Sequence, residues 1–402
     1  MSEFDSDVPK IPDYTLSEKQ FLLSKNLDNA GHREELVKEL LESIKEKKLA
    51  PYYKYLTSEL PEIVKFDQAL YSSLKSENEK QIAELNKKIK DAEEDDETKD
   101  EILPSTIRLA EYYTEIIDKQ NAIATYKKAL ELTQSTGSKI DILLTLARIE
   151  FFFNDYPAVA KYLDQVKAQI DKGGDWERRN RYKTYHGIYL LATRNFSEAA
   201  KLLIDSLATF TSTEICSYEQ VAHYSIVAGV LSLDRVDLKS KIIDSPEILS
   251  IYSSTSYLEP LINLTNSLYT CQYNYFFQYL LETHDKLLLT NKYLNQHANY
   301  FLRELRCKAY GQLLESYKSL SLKSMARNFS ISEEFLDQDL CKFIPNKKLN
   351  CTVDKVNGII ETNRPDNKNS QYHLLIKQGD NLLTKLQKYG AAVKLSGAER
   401  VA

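Results

Sequence analysis

The chain is short of the residues that punctuate β-rich folds, with 11 glycines and 10 prolines in 402 residues. That scarcity excludes an architecture of many short strands and tight turns, and it predicts a mainly α chain. Cysteine is sparse as well. Cys216, Cys271, Cys307, Cys341 and Cys351 are odd in number, widely spaced and never arranged as C-x-x-C. This argues for reduced structural thiols rather than a disulfide framework. No apolar run approaches the roughly 18 to 20 residues that a membrane span needs. The opening MSEFDSDVPK is acidic and polar, unlike a secretory signal or transit peptide, so a cytosolic or nuclear location is expected.

Catalytic and metal-binding signatures are missing too. The six histidines show no H-x-H or H-E-x-x-H spacing, and they form no Cys/His ligand pattern. His284-Asp285 is an isolated pair, read here as incidental. The glycine pair Gly173-Gly174 is followed by Asp175-Trp176 rather than by Lys-Ser/Thr or a third spaced glycine, so no phosphate loop is present. A nucleophile elbow is also lacking. The expectation is a protein without enzymatic activity, metal or cofactor. A formal charge of -5 is mild and disfavours phosphate binding by the chain as a whole.

What the sequence does have is helical periodicity over most of its length. Residues 1–15 read as a disordered N-terminus. Residues 16–101 read as amphipathic helices, with Pro51 suited to a first turn and a long, partly exposed helix from Phe66 to Ala92. An acidic linker, Glu93 to Glu101, closes this region. From 102 to 317 helix pairs recur weakly. Ala110, Ala147 and Gly187 are small residues on successive first helices, and Ala124, Ala160 and Ala200 are their counterparts on second helices. With aromatics between them, these mark a tetratricopeptide-like helical-repeat solenoid.

Residues 318–365 read as a winged helix. Leu322, Met325, Ala326 and Phe329 share one face of a short helix. Ser330 or Ser332 caps a second helix with Phe335, Leu336, Leu340 and Phe343 facing inward, and Pro345 ends it. A strand from Cys351 to Val356, a two-residue Asn357-Gly358 turn and a return strand from Ile359 to Thr362 complete the unit. Thr352, Val353, Ile359 and Ile360 are candidates for an exposed strand edge that a neighbouring subunit could extend. Winged helices often read DNA with the second helix, but this one carries Glu333, Glu334, Asp337 and Asp339 against Lys342, the wrong sign for a phosphate backbone. No nucleic acid or membrane partner is expected.

The last segment, 366–402, reads as one helix. Tyr372, Leu375, Gly379, Leu382, Leu386, Tyr389 and Val393 repeat at alternating spacings of three and four, a heptad seam suited to helices of other chains. One basic cluster also stands out: Trp176 followed by Arg178, Arg179, Arg181 and Lys183 is a candidate site for an acidic partner.

Four stretches carry a family resemblance: GGDWERRNRYKTYHGIYLL (173–191), RNFSEAAKLLIDSLATFTSTE (194–214), DLKSKIIDSPEIL (237–249) and the run from Phe343 to Val393. Together with a helical-repeat solenoid running into a winged helix, they resemble the PCI-domain subunits of the proteasome regulatory particle lid, in particular the family of its seventh non-ATPase subunit. Subunit one of the COP9 signalosome is the nearest rival. The resemblance covers nearly the whole chain. It implies a non-catalytic scaffold supporting lid assembly and ATP-dependent degradation of ubiquitinated proteins. The implied partners are other PCI subunits, met through winged-helix edges and a C-terminal helical bundle, and a small acidic disordered lid subunit. Contact of the N-terminal helices with the ATPase ring is left open.

Overall fold

In a computed structural model of the chain, the described residues are 9–25, 30–94, 101–363 and 367–398. The chain divides into two compact units, one ending at Arg306 and the other beginning at Cys307. Among its described residues the first forms helices joined by turns and loops, without a strand. It opens with α1 (Tyr14–Lys25), α2 (Ala30–Glu46), α3 (Ala50–Glu59) and α4 (Gln68–Glu94). Their shared core of Leu16, Leu40, Ile44, Tyr52 and Leu56 extends to Phe152 of the repeats. Tyr14 and Thr15, expected to be disordered, lie in α1, and the Tyr14 hydroxyl donates to the Arg148 carbonyl at 2.6 Å. Residues 1–8 and 95–100 of the expected disordered and linker stretches lie outside the described residues.

The repeats follow as α5 (Ile102–Glu115), α6 (Lys119–Leu132), α7 (Thr136–Phe152), α8 (Tyr156–Gly173), α9 (Trp176–Ala192) and α10 (Phe196–Leu207). Beyond them come α11 (Tyr218–Ser232), α12 (Arg235–Leu238), α13 (Pro246–Ser254), α14 (Glu259–Thr270), α15 (Tyr273–Thr283) and α16 (Ala298–Ser316). Their turns explain how a chain this poor in glycine ends its helices. Lys48, Ile117, Asn154, Arg194, Cys271, Ser330 and Lys347 all adopt positive φ, between 55° and 68°. In each case the next N–H returns to the carbonyl five residues back, at 2.8–3.1 Å. This is the left-handed closure that usually falls to glycine, and a side chain there costs roughly 1–2 kcal/mol. At Ile117, Asn154, Arg194 and Cys271 the residue after the closure is already the N-cap of the following helix. Helix therefore reverses into helix within two or three residues, producing the pairs α5/α6, α7/α8, α9/α10 and α14/α15.

Small residues sit where the paired helices cross. Ala110, Ala147 and Ala200 are fully buried, and a Cβ built on Gly187 would meet Leu203 Cδ2 at 2.6 Å. The expected counterpart Ala124 is instead exposed; Ala122, four residues past the Asp118 cap, is the buried one. The first turn of α6 points that position inward. His297 fastens the approach to α16. Its Nδ1 accepts from Arg194 Nε at 3.2 Å, so its Nε2 carries the proton donated to the Ala192 carbonyl at 2.8 Å.

The second unit holds β1 (Ser319–Ser321), α17 (Leu322–Phe329), α18 (Glu333–Phe343), β2 (Cys351–Asp354), β3 (Ile359–Thr362) and α19 (Asn367–Ala398). Ser321 and Ser332 cap the two short helices, accepting from the N–H groups of Ser324 and Phe335. Tyr310, on the α16 segment of this unit, packs edge-on to Phe329 with ring centroids 4.9 Å apart. Leu336, Leu340 and Phe343 are buried as expected, whereas Phe335 is 38 % exposed.

Candidate functional site

The winged helix carries a three-stranded antiparallel sheet of order β1-β3-β2, one strand more than the sequence suggested. Leu320 pairs with Ile360, and Val353 pairs with Ile360 from the other side. Ile359 and Ile360, expected at an edge, therefore lie on the central strand, and Ile360 is fully buried. Thr352 and Val353 do lie on an outer strand, with Thr352 exposed. The hairpin also differs from expectation. Its loop is four residues long, and Gly358 has positive φ while Asn357 does not. The Asp354 carboxylate accepts from the backbone of Val356 and Asn357 and from the Asn357 side chain. These bonds, led by the Asn357 side chain, lower the Asp354 pKa. An Asx turn has thus replaced the tighter one.

α19 presents the expected seam without covering it. Tyr372, Leu375, Leu382, Leu386 and Tyr389 are between 60 % and 70 % exposed. Leu374, Ile376 and Leu383 widen the same apolar surface. Every α19 residue whose burial is described is exposed.

The basic cluster at the start of α9 is largely committed within the chain. Arg178 reaches Asp141 through Nε at 3.1 Å and Nη2 at 2.7 Å, and Asp175 through Nη1 at 2.6 Å. Arg181 is buried and pairs with Glu177 at 2.7 Å, with Asp141 Oδ1 at 3.9 Å. Arg179 Nε donates to the Gly174 carbonyl, closing the end of α8. Trp176 is 64 % exposed, and Lys183 is half-buried. The positive run that looked like a docking patch is thus mostly an internal clamp between α7 and α9.

Behind that clamp lies a cavity of about 220 Å³ lined by α5, α6, α7, α9 and the segment before α11. Arg148, Arg181 and Glu214 face it, each with an atom lacking a hydrogen-bond partner: Arg148 Nε, Arg181 Nε and Glu214 Oε2. The Tyr185 hydroxyl donates to Glu214 Oε1 at 3.1 Å. Burial pushes the Tyr185 pKa well above its usual value and raises that of Glu111 on the cavity wall. Sequence reading missed this site. The signal was an arginine standing inside the apolar run ILLTLARIEFF of α7, where a charge needs a reason.

Among the described residues no group of three or more His, Cys, Asp or Glu side chains could hold a metal ion, and no helix is long and apolar enough to cross a membrane.

Helical repeats followed by a winged helix define the PCI class, and the PCI domain family matches residues 281–364. Two further families match: the 26S proteasome subunit RPN7 over residues 67–241 and the RPN7/PSMD6 C-terminal helix over residues 371–393. The chain is 56 % identical to the Saccharomyces cerevisiae 26S proteasome regulatory subunit RPN7, over 99 % of its own length and 97 % of that relative. It is 44 % identical to the Schizosaccharomyces pombe subunit rpn7, over 97 % and 98 %. With the Arabidopsis thaliana 26S proteasome non-ATPase regulatory subunit 6 homolog it shares 38 % identity, over 96 % and 97 %. The chain belongs to the RPN7/PSMD6 family of 26S proteasome regulatory subunits. That membership favours the proteasome over the signalosome.

Proposed function

We propose that the chain is a non-catalytic scaffold of the proteasome regulatory particle lid, supporting lid assembly and through it the ATP-dependent degradation of ubiquitinated proteins in cytoplasm and nucleus. The observation that carries this reading is the exposed seam of α19. An apolar helix face of this length left in water is unfavourable, and each leucine gains roughly 1.5–3 kcal/mol on full burial. Helices of other lid subunits are the natural cover, forming a bundle. A second joint is the outer edge of β2, where Thr352 and Val353 could accept a strand from a neighbouring PCI subunit. Residues 102–317 act in this reading as the repeat body, 318–365 as the winged helix and 366–402 as the bundle helix. For the small acidic lid subunit, Trp176, Arg179 and Lys183 remain the candidate surface, since Arg178 and Arg181 are held by Asp141, Asp175 and Glu177. Residues 16–101 are the candidate contact with the ATPase ring.

The test is a tagged pull-down read by native mass spectrometry. Leu382→Glu with Leu386→Glu should leave the chain folded and absent from the lid. Stoichiometric incorporation of that double variant would refute the bundle.

A further inference from the structure

The cavity is faced by a buried guanidinium whose Nε–H meets no acceptor among the described residues. Arg148 is 1 % exposed, and its one side-chain hydrogen bond among the described residues is a long one, 3.4 Å from Nη2 to Thr145 Oγ1. Tyr185 and Glu214 lie close enough to favour its charged form, but a buried N–H donor left without an acceptor, as at Nε, is still unfavourable. Arg181 at 6 % and Glu214 at 4 % exposure add a second unmet N–H donor and an unmet carboxyl oxygen. The cavity, about 220 Å³, has room for several waters at about 30 Å³ each or for one side-chain-sized group.

The donors and acceptors decide what that group is. A carboxylate would serve both guanidinium groups, but it would add a fourth carboxyl beside Glu111, Asp141 and Glu214 and leave Glu214 Oε2 without a donor. An ammonium or guanidinium would serve Glu214 yet accept nothing from Arg148 or Arg181. A neutral planar group with a carbonyl oxygen at one end and N–H at the other meets all three, while Ile107, Ile142 and Leu144 on the wall suit a short apolar stem. We propose that this cavity is a binding site for a primary carboxamide, as presented by a glutamine or asparagine side chain of a partner chain. The inference goes beyond the scaffold reading and does not depend on it.

The experiment uses the purified full chain, with propionamide and propionate as probes in saturation-transfer NMR, so that its failure leaves the lid assignment standing. Propionamide should receive saturation and propionate should not. Arg148→Met and Glu214→Gln should each weaken propionamide binding at least about tenfold. Arg148→Met alone leaves the buried Glu214 carboxylate without its cation and should lower Tm, so the double variant Arg148→Met with Glu214→Gln, which removes both charges together, is the folded control. Binding unchanged in both folded variants overturns the site. Equal binding of propionate makes it an anion site instead, and silence from both probes reduces it to a water-filled void. Pro9 lies at the cavity wall, so a chain lacking residues 2–8 is the last arm. Tighter propionamide binding there would assign the cavity to the chain's own leading residues and overturn the partner assignment.

Discussion

The ammonium of Lys292 lies 2.6 Å from the Ser17 hydroxyl, joining residues 275 positions apart. The same Nζ donates to the carbonyls of Phe151 and Phe152 at 3.1 and 2.9 Å. It therefore occupies the C-terminal end of α7, where unpaired carbonyls favour a cation, and clasps α1 to the repeats. Burial pulls the Lys292 pKa down to about 7. The unfolded chain then binds more protons than the folded one above that pH, so this group's contribution to stability falls as pH drops toward 7 and rises above it. Expressed as a difference from Lys292→Met, wild-type stability should grow between pH 7 and 9 by at most about 1.4 kcal/mol per unit. Urea unfolding at several pH values measures this; a flat difference would remove Lys292 as the source.

His223 is fully buried in α11, and burial lowers its pKa to about 4. The sign is that of a depressed group: its stability is present above about pH 6.5 and is lost as pH falls toward 4. His223→Phe should flatten the acid limb of the Tm profile between those limits. An unchanged limb would place the acid sensitivity elsewhere.

Ser330 is exposed and closes α17 at φ 55°. Glycine adopts that conformation without the Cβ penalty, so Ser330→Gly should stabilise the chain by roughly 0.5–1 kcal/mol. Gly187→Ala should do the opposite. Its Cβ would press on Leu203, costing about 1–3 kcal/mol as overpacking. Thermal denaturation separates the two signs.

Proline scanning tests the β2 edge. Proline at Thr352 and at Val353, made separately, removes one backbone donor each. At the position whose N–H points away from β3 the hairpin should persist and lid incorporation should fall. Full incorporation of both variants would exclude strand addition at β2.

Local signals made much of the winged helix legible. Ser332, the apolar spacing to Phe343 and Pro345 set α18, because a cap, a face and a stop are each encoded within a turn or two. β1 was not legible. Three residues following a long helix become a strand only because they pair with β3, some forty positions later. That pairing also turns Ile359 and Ile360 from an edge into a centre. Arg178 and Arg181 misled for a related reason: the sequence displays the positive run, but the Asp141 that engages both lies on another helix. The α19 seam was readable because its meaning is a period along one element, and the apolar face needs no fold to be seen.

The openness of that seam has a consequence for a copy of the chain made in excess. Its solution behaviour should be governed by its last helix rather than by its folded body. Such a copy would carry an adhesive strip that the proposed bundle would hide, making the uncovered helix a label by which a surplus chain differs chemically from one in its place.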